Sequence, residues 1–309
     1  MRLVTPEENR QEMLNILDSI DAICKHYNLK YWLSYGSLIG AVRHQGWIPW
    51  DDDIDICMPR KDYCFLLNNW KKINQNRDYV LIEQNFREGT FRKCKIANSK
   101  TSCTDWTGHN RAGIWVDIFP IDGVKNKKYF KVELMRIRVL MSIHTLLTTE
   151  YCGEGIKGKV KKLVLQCSKL SGREFVIKYI EETLCDKRSV ERCKYLISPS
   201  SLNAKKECFE RGIFEDLEYK KFENRYYMIP KQYDIILRAI YGNYMELPPV
   251  EQRTTHGLEI YWVSAKYCYA AHESRLHQND RCKRFALCLV LTVRFRSLAP
   301  WGKLFQLFI

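Results

Sequence analysis

Between Leu33 and Tyr63 the chain reads LSYGSLIGAVRHQGWIPWDDDIDICMPRKDY. Asp51, Asp52, Asp53 and Asp55 stand there between a Trp-rich turn and the apolar Ile56, Cys57 and Met58, in a chain whose net charge is +14. Acid and apolar residue alternate from Asp53 to Ile56. A period of two predicts a strand over Asp53–Met58 with both acids on one face. Two such positions lie about 6–7 Å apart along the backbone. Carboxylates that converge to about 4 Å repel by roughly 4 kcal/mol at an effective dielectric of about 20. A fold that buries one flank of this pair needs positive charge beside it. A divalent cation supplies that charge, since Mg²⁺ takes oxygen ligands, usually one or two carboxylates together with substrate phosphates.

The neighbouring segments supply matching parts. Tyr31–Tyr35 reads as a short buried strand that ends in Gly36-Ser37, and Ser37–Arg43 as a helical turn. A strand running through Gly-Ser into a helical turn presents backbone N–H groups and a hydroxyl, a suitable cradle for a phosphate. Arg43 lies two turns on and can meet phosphate oxygens with both arms of its guanidinium. The apolar run Ile114–Phe119 holds one acid, Asp117, and Pro120 is expected to close that strand. Carboxylates from two adjacent strands, Asp53 and Asp55 on one and Asp117 on the other, can hold metal for phosphoryl-type chemistry. Taken singly, each part has a plainer reading: a solvated acidic loop, a Gly-Ser turn, a capping aspartate. The combination carries the argument. Trp47 and Trp50 read as core residues.

Around this constellation the pattern predicts a first helix over Pro6–His26, opened by Thr5, Pro6 and Glu8 as a capping box. Met13, Leu17, Ile20, Cys24 and Tyr27 share its apolar face. Further strands are expected at Tyr79–Glu83 and Phe91–Ala97, with a helix over Lys61–Lys72. These place the sheet within about residues 30–122. Asn126 to Arg188 reads as basic and helical, and Met228–Pro249 as a loop, a helix and a proline-rich stop. The fold class is therefore α/β, a mixed sheet flanked by helices with a mainly helical C-terminal half.

With 309 residues, 46% hydrophobic and 28% charged, the composition is that of an ordinary globular protein. No apolar run reaches the length needed to span a bilayer. The first twelve residues are polar and acidic, which predicts no secretory leader and a cytoplasmic location. The 13 cysteines include no C-x-x-C pair, so they read as reduced thiols packed as small apolar residues. Residues 125–175 and 257–309 are basic, which suits an anionic partner: a phosphorylated substrate, anionic lipid or nucleic acid. A non-enzymatic nucleic-acid-binding protein would leave the acids unexplained, and no DNA- or RNA-binding motif is present.

The stretch YGSLIGAVRHQGWIPWDDDIDICMPRKDY resembles the signature of the LicD family, the LicD/fukutin-type phosphotransferases. WVDIFPIDGV, Trp115–Val124, resembles its second block, and IPKQYDIILRAIYGNYMELPP followed by His256 its third. The resemblance covers about residues 25–256. It implies a nucleotidyltransferase-like fold in which Gly36 and Ser37 fill the Gly-Ser place, Asp53 and Asp55 the paired acids, and Asp117 the third acid. These three aspartates would be both catalytic and metal-binding, with Mg²⁺ or Mn²⁺ as the ion. Asp51 and Asp52 would support them, and Lys95 and Arg43 would contact the donor phosphates. The resemblance further implies transfer of an alcohol phosphate, phosphocholine first, from a CDP-alcohol donor to a hydroxyl of a cell-surface glycan or lipid-linked glycan. Lipopolysaccharide, teichoic acid and capsule are the acceptor types. A related enzyme that makes an NDP-alcohol from CTP, or modifies a small molecule, would use the same acids. The expected division is a catalytic core with its N-terminal helix at 1–124, a basic helical region at 125–256, and an extension at 257–309. That extension departs from the family pattern. Basic and ending in apolar residues, it reads either as a peripheral contact with the inner face of the membrane or as a packed helical end.

Overall fold

Thr5 and Glu8 satisfy each other at the start of the first helix. Thr5 Oγ1 accepts from the Glu8 N–H at 3.2 Å, and Glu8 Oε2 accepts from the Thr5 N–H at 2.9 Å. This is the predicted capping box, with Pro6 in the first turn, and helix α1 runs Pro6–Tyr27. Asn28 ends it in the left-handed conformation, φ 53°. The predicted apolar face is buried at Met13, Leu17, Ile20 and Cys24, while Tyr27 stays exposed.

The computed structural model describes residues 1–83, 93–104, 110–148, 175–176, 190–199, 201, 203–253, 255 and 257–263. Its strands are β1 Arg2–Leu3, β2 Trp32–Leu33, β3 Asp55–Pro59, β4 Tyr79–Glu83, β5 Cys94–Asn98, β6 Thr101–Thr104 and β7 Asn110–Ala112. They continue as β8 Trp115–Val124, β9 Tyr195–Ile197, β10 Cys208–Glu210, β11 Leu217–Phe222, β12 Arg225–Pro230 and β13 Ile260–Trp262. Besides α1, the helices that matter are α2 Tyr35–Ile39 with a π-turn at Gly40–His44, α3 Arg60–Ile73, α4 Phe130–Thr148 and α5 Tyr233–Tyr241.

The central sheet is mixed. Among the described residues it has the order β10-β9-β8-β3-β2, with β5 also on β8 and β4 outside β5. β3 and β8 are parallel, Asp55 opposite Asp117, and β5 is antiparallel to β8, Lys95 opposite Asp117. β1, β13, β6 and β7 form a second sheet, and β11 with β12 a hairpin. One face of the central sheet, through Ile56, Met58, Val116 and Ile118, packs into the large core with α1. The other, through Cys57, Phe119 and Ile121, meets Leu196, Phe214, and Ile236 and Ile240 of α5. Arg60 and Asp122 form a buried pair, Nη2 to Oδ2 2.6 Å, at the end of the parallel strands.

Three expectations are corrected. β3 begins at Asp55, so Asp53 lies in the loop before it rather than on the strand. The backbone explains the late start: Asp117 N–H donates to Ile54 O at 2.9 Å, and regular pairing follows only beyond it. Pro120 does not close the strand that holds Asp117; β8 continues to Val124. One edge of β8 pairs with β5 up to Ile118 and with β9 from Asp122, and Pro120 lies in the gap, where a missing N–H costs least. Thirdly, the described residues beyond 190 are not mainly helical. They carry β9 to β13 and the single α-helix α5, and β9 and β10 extend the central sheet beyond the expected limit of about residue 122. Those short strands lack the alternation that marks longer ones. Most of the segment expected to be helical between Thr148 and Arg188, His256, and the chain beyond Val263 lie outside the described residues.

Among the described residues Cys24, Cys57, Cys94, Cys103 and Cys193 are buried and outside any disulfide. No helix of the described residues is long and apolar enough to cross a membrane.

Candidate active site

Asp55 opens β3 and Asp117 lies directly across from it on β8. Neighbouring strands are about 4.8 Å apart, so the two side chains rise together from one sheet face. Asp117 is buried and Asp55 half-buried. Oδ1 of each carboxylate is buried without a hydrogen-bond partner. Burial first, then the negative charges of Asp53 and Asp117, push the Asp55 carboxyl well above the usual range, and Lys93 opposes them. Asp53, in the loop, and Asp51 therefore act on Asp55 through space.

Positive charge stands beside the pair. Lys93 Nζ is 2.6 Å from Asp117 Oδ2 and Lys95 Nζ 3.7 Å from Asp117 Oδ1. Trp115 Nε1 donates to Asp117 Oδ2 at 3.3 Å, and the Lys95 ammonium rests 3.5 Å from the Trp115 ring centre. Burial works against the Lys93 charge, but Asp117, Asp55 and Asp53 outweigh it and raise its pKa. Sequence reasoning missed Lys93; its spacing of two from Lys95 on the strand facing Asp117 was the available signal.

Gly36 and Ser37 serve the acids at close range. Ser37 is buried, and its Oγ accepts the Asp55 N–H at 2.9 Å, while Ser34 N–H donates to Asp55 O at 2.9 Å. A Cβ at Gly36 would stand 2.4 Å from Asp51 Oδ2, so the glycine makes room for that carboxylate. The residue before it, Tyr35, has φ 50°, a left-handed conformation that a bulky side chain rarely adopts. Arg43 is not brought to the acids: its guanidinium donates to the carbonyls of Tyr244 and Glu246. Asp52 is half-buried in the same loop as Asp51 and Asp53.

Tyr241, at the end of α5, completes the surroundings and has no counterpart in the sequence reading. Partial burial raises its phenol pKa, helped by the charges of Asp55, Glu207, Asp51 and Asp53.

Among the described residues no group of three His, Cys, Asp or Glu side chains is gathered as a metal site. What the strands do supply is a pair of hard oxygen donors, Asp55 Oδ1 and Asp117 Oδ1, both buried and neither in a hydrogen bond, with Lys95 Nζ 3.7 Å from the second. Such donors are compatible with a divalent cation, since Mg²⁺ needs only one or two carboxylates when substrate phosphates complete its shell. The arrangement suits chemistry on a diphosphate: carboxylates for a cation, and two lysines for anionic oxygens.

Comparison with known proteins agrees in kind. The sequence pattern described as "LicD/FKTN/FKRP, nucleotidyltransferase domain" matches residues 28–144. The lipopolysaccharide cholinephosphotransferase LicD of Haemophilus influenzae is 30% identical over 265 residues, 84% of this chain and 98% of that protein. An uncharacterized protein of Rickettsia typhi is 34% identical over 82 residues, 24% of this chain and 26% of its own length. Another, of Rickettsia prowazekii, is 60% identical over 35 residues, 11% of this chain and 13% of its own length.

Proposed function

The chain belongs to the LicD family of phosphotransferases, and on that premise we propose that it moves an alcohol phosphate, phosphocholine first, from a CDP-activated donor to a glycan hydroxyl. The acceptor is a cell-surface glycan of the lipopolysaccharide type, by likeness to the Haemophilus influenzae relative. The observation that carries the reading is the in-register pair Asp55–Asp117, each with a buried oxygen that makes no hydrogen bond, inside the matched family region.

Asp55 and Asp117, with Asp53 across the loop, would hold Mg²⁺ or Mn²⁺, which when bound neutralises charge on the donor diphosphate and on the CMP leaving group. Lys93 and Lys95 would exchange part of their hold on Asp117 for the donor's phosphate oxygens. Ser37 keeps Asp55 in place through its backbone N–H. Asp51, seated against Gly36, adds to the negative field that retains the cation. The acceptor oxygen attacks the phosphorus that bears the alcohol. A new P–O bond forms, the bond to CMP breaks, and an aspartate carboxylate takes the hydroxyl proton.

A donor panel tests the reading. CMP release is expected from CDP-choline, and less from CDP-ribitol and CDP-glycerol, in the presence of Mg²⁺ or Mn²⁺ and a glycan acceptor. Pyrophosphate release from CTP, with all three CDP-alcohols untouched, would replace it by an enzyme that makes the activated alcohol.

A further inference from the structure

On the same sheet face as the acids, beginning two residues beyond Asp55 on β3 and four beyond Asp117 on β8, lies a cavity of about 30 Å³. Asp55 and Cys57 alternate to one side of β3, and Asp117, Phe119 and Ile121 to the same side of β8. Cys57 and Ile121 line the cavity with four aromatic rings, Trp32, Tyr35, Phe209 and Phe214. Trp32 and Phe214 stack at 4.9 Å between ring centres, and Tyr35 meets Phe119 edge-on at 5.0 Å. That volume is the space open to the centre of a water molecule, so the walls leave room for a compact, roughly spherical group about 3 Å in radius.

One wall carries an acid. Glu207 is 4% exposed. The Ser201 hydroxyl donates to its Oε1, and the Tyr35 hydroxyl to its Oε2 at 3.3 Å. Tyr35 also shares a hydrogen bond with Ser198 at 2.8 Å. The adjacent cation is turned elsewhere: Lys206 Nζ donates to Ile240 O at 3.0 Å. Burying a carboxylate without a counter-charge is costly, and an apolar pocket gains nothing from one. The cost is understandable if the counter-charge arrives with a ligand. Aromatic walls beside a carboxylate attract a weakly hydrated cation through the ring quadrupoles as well as the charge.

We propose that this cavity takes the quaternary ammonium headgroup of the donor's alcohol, with Glu207 as its counter-ion and Trp32, Tyr35, Phe209 and Phe214 as its walls. The position agrees with the chemistry. A step of two residues along β3, from Asp55 to Cys57, separates the phosphate-binding acids from the cavity, about 6–7 Å, a span that the short chain between phosphate and nitrogen in choline can bridge. Tyr241 responds to the charges of both Asp55 and Glu207. Tyr35 joins the two sites covalently through Gly36 and Ser37. The inference rests on the reading that the donor is a CDP-alcohol and adds which alcohol the chain selects and by which residues.

Calorimetric titration of the full-length chain with phosphocholine, and with 3,3-dimethylbutyl phosphate, tests this. The second compound has the same head shape and no positive charge. Phosphocholine is expected to bind at least about tenfold more tightly, and Glu207→Gln to bring the two within about twofold. Equal binding of the two by the wild type, or binding of neither, would overturn the proposal, even if Glu207→Gln does not fold. The experiment needs no turnover. CMP release without a phosphocholine preference therefore sinks this inference alone, and a preference without CMP release sinks the transferase reading alone.

Discussion

Gly36 shows how little space one site residue has. Its missing side chain is occupied by Asp51 Oδ2, 2.4 Å from where a Cβ would be. The obstruction is the end of a flexible side chain, so Gly36→Ala should leave the melting temperature nearly unchanged while displacing the carboxylate. Donor turnover should fall by about tenfold, the factor that 1.4 kcal/mol of lost transition-state stabilisation sets. A large drop in melting temperature with normal turnover would contradict this role. Glu207 makes a second prediction at the same scale. Burial raises its pKa from 4.5 to about 7, opposed by the hydroxyls of Ser201 and Tyr35. The folded chain holds that proton more tightly than the unfolded one. The stabilisation is complete below about pH 4.5 and is lost as pH rises through about 7, on the order of 3 kcal/mol in all. Urea melts of the wild type and Glu207→Gln at pH 5 and pH 8 should show the wild type losing ground to the variant by up to that amount. A difference that stays constant with pH would rule it out.

Elements bring these residues together, and here the sequence was legible in part. The capping box of α1 was readable because Thr5 and Glu8 satisfy backbone groups three residues apart, a local relation. Thr5→Ala removes it and should cost about 1 kcal/mol in urea unfolding; an unchanged midpoint would show that the tertiary contacts of α1 alone set its start. The aspartate alternation correctly indicated a strand at Asp55, yet Asp53 falls outside it because the first regular pairing depends on Asp117 and Ile54, distant in sequence. Pro120 misled for the same reason: a gap between two partner strands is a tertiary property. The register that sets Asp55, Asp117 and Lys95 side by side could not be read from any one segment. Arg43 looked available for phosphate, but the carbonyls that hold it belong to residues about two hundred positions away.

At the scale of the whole molecule, a chain of net charge +14 keeps its densest acids at the start of a parallel strand pair and flanks them with Lys93, just before the antiparallel neighbour β5, and Lys95 within it. The family match over 28–144 covers that core. The likeness to the Haemophilus influenzae relative extends over 98% of that protein, so the aligned sequence includes the later strands and α5 as well. The wall that carries Glu207 belongs to that region, so the proposed selection of the alcohol draws in part on the half of the chain where sequence motifs were weakest. The central claim is that Asp55 and its partner hold the cation on which diphosphate cleavage depends. Its most direct test is Mg²⁺-dependent CMP release from CDP-choline by Asp55→Asn, compared with the wild type. The replacement removes a carboxylate that its neighbours already repel, so folding should be intact and the melting temperature equal or higher. Release should fall by roughly a hundredfold or more, and release near the wild-type rate from the folded variant would contradict the claim.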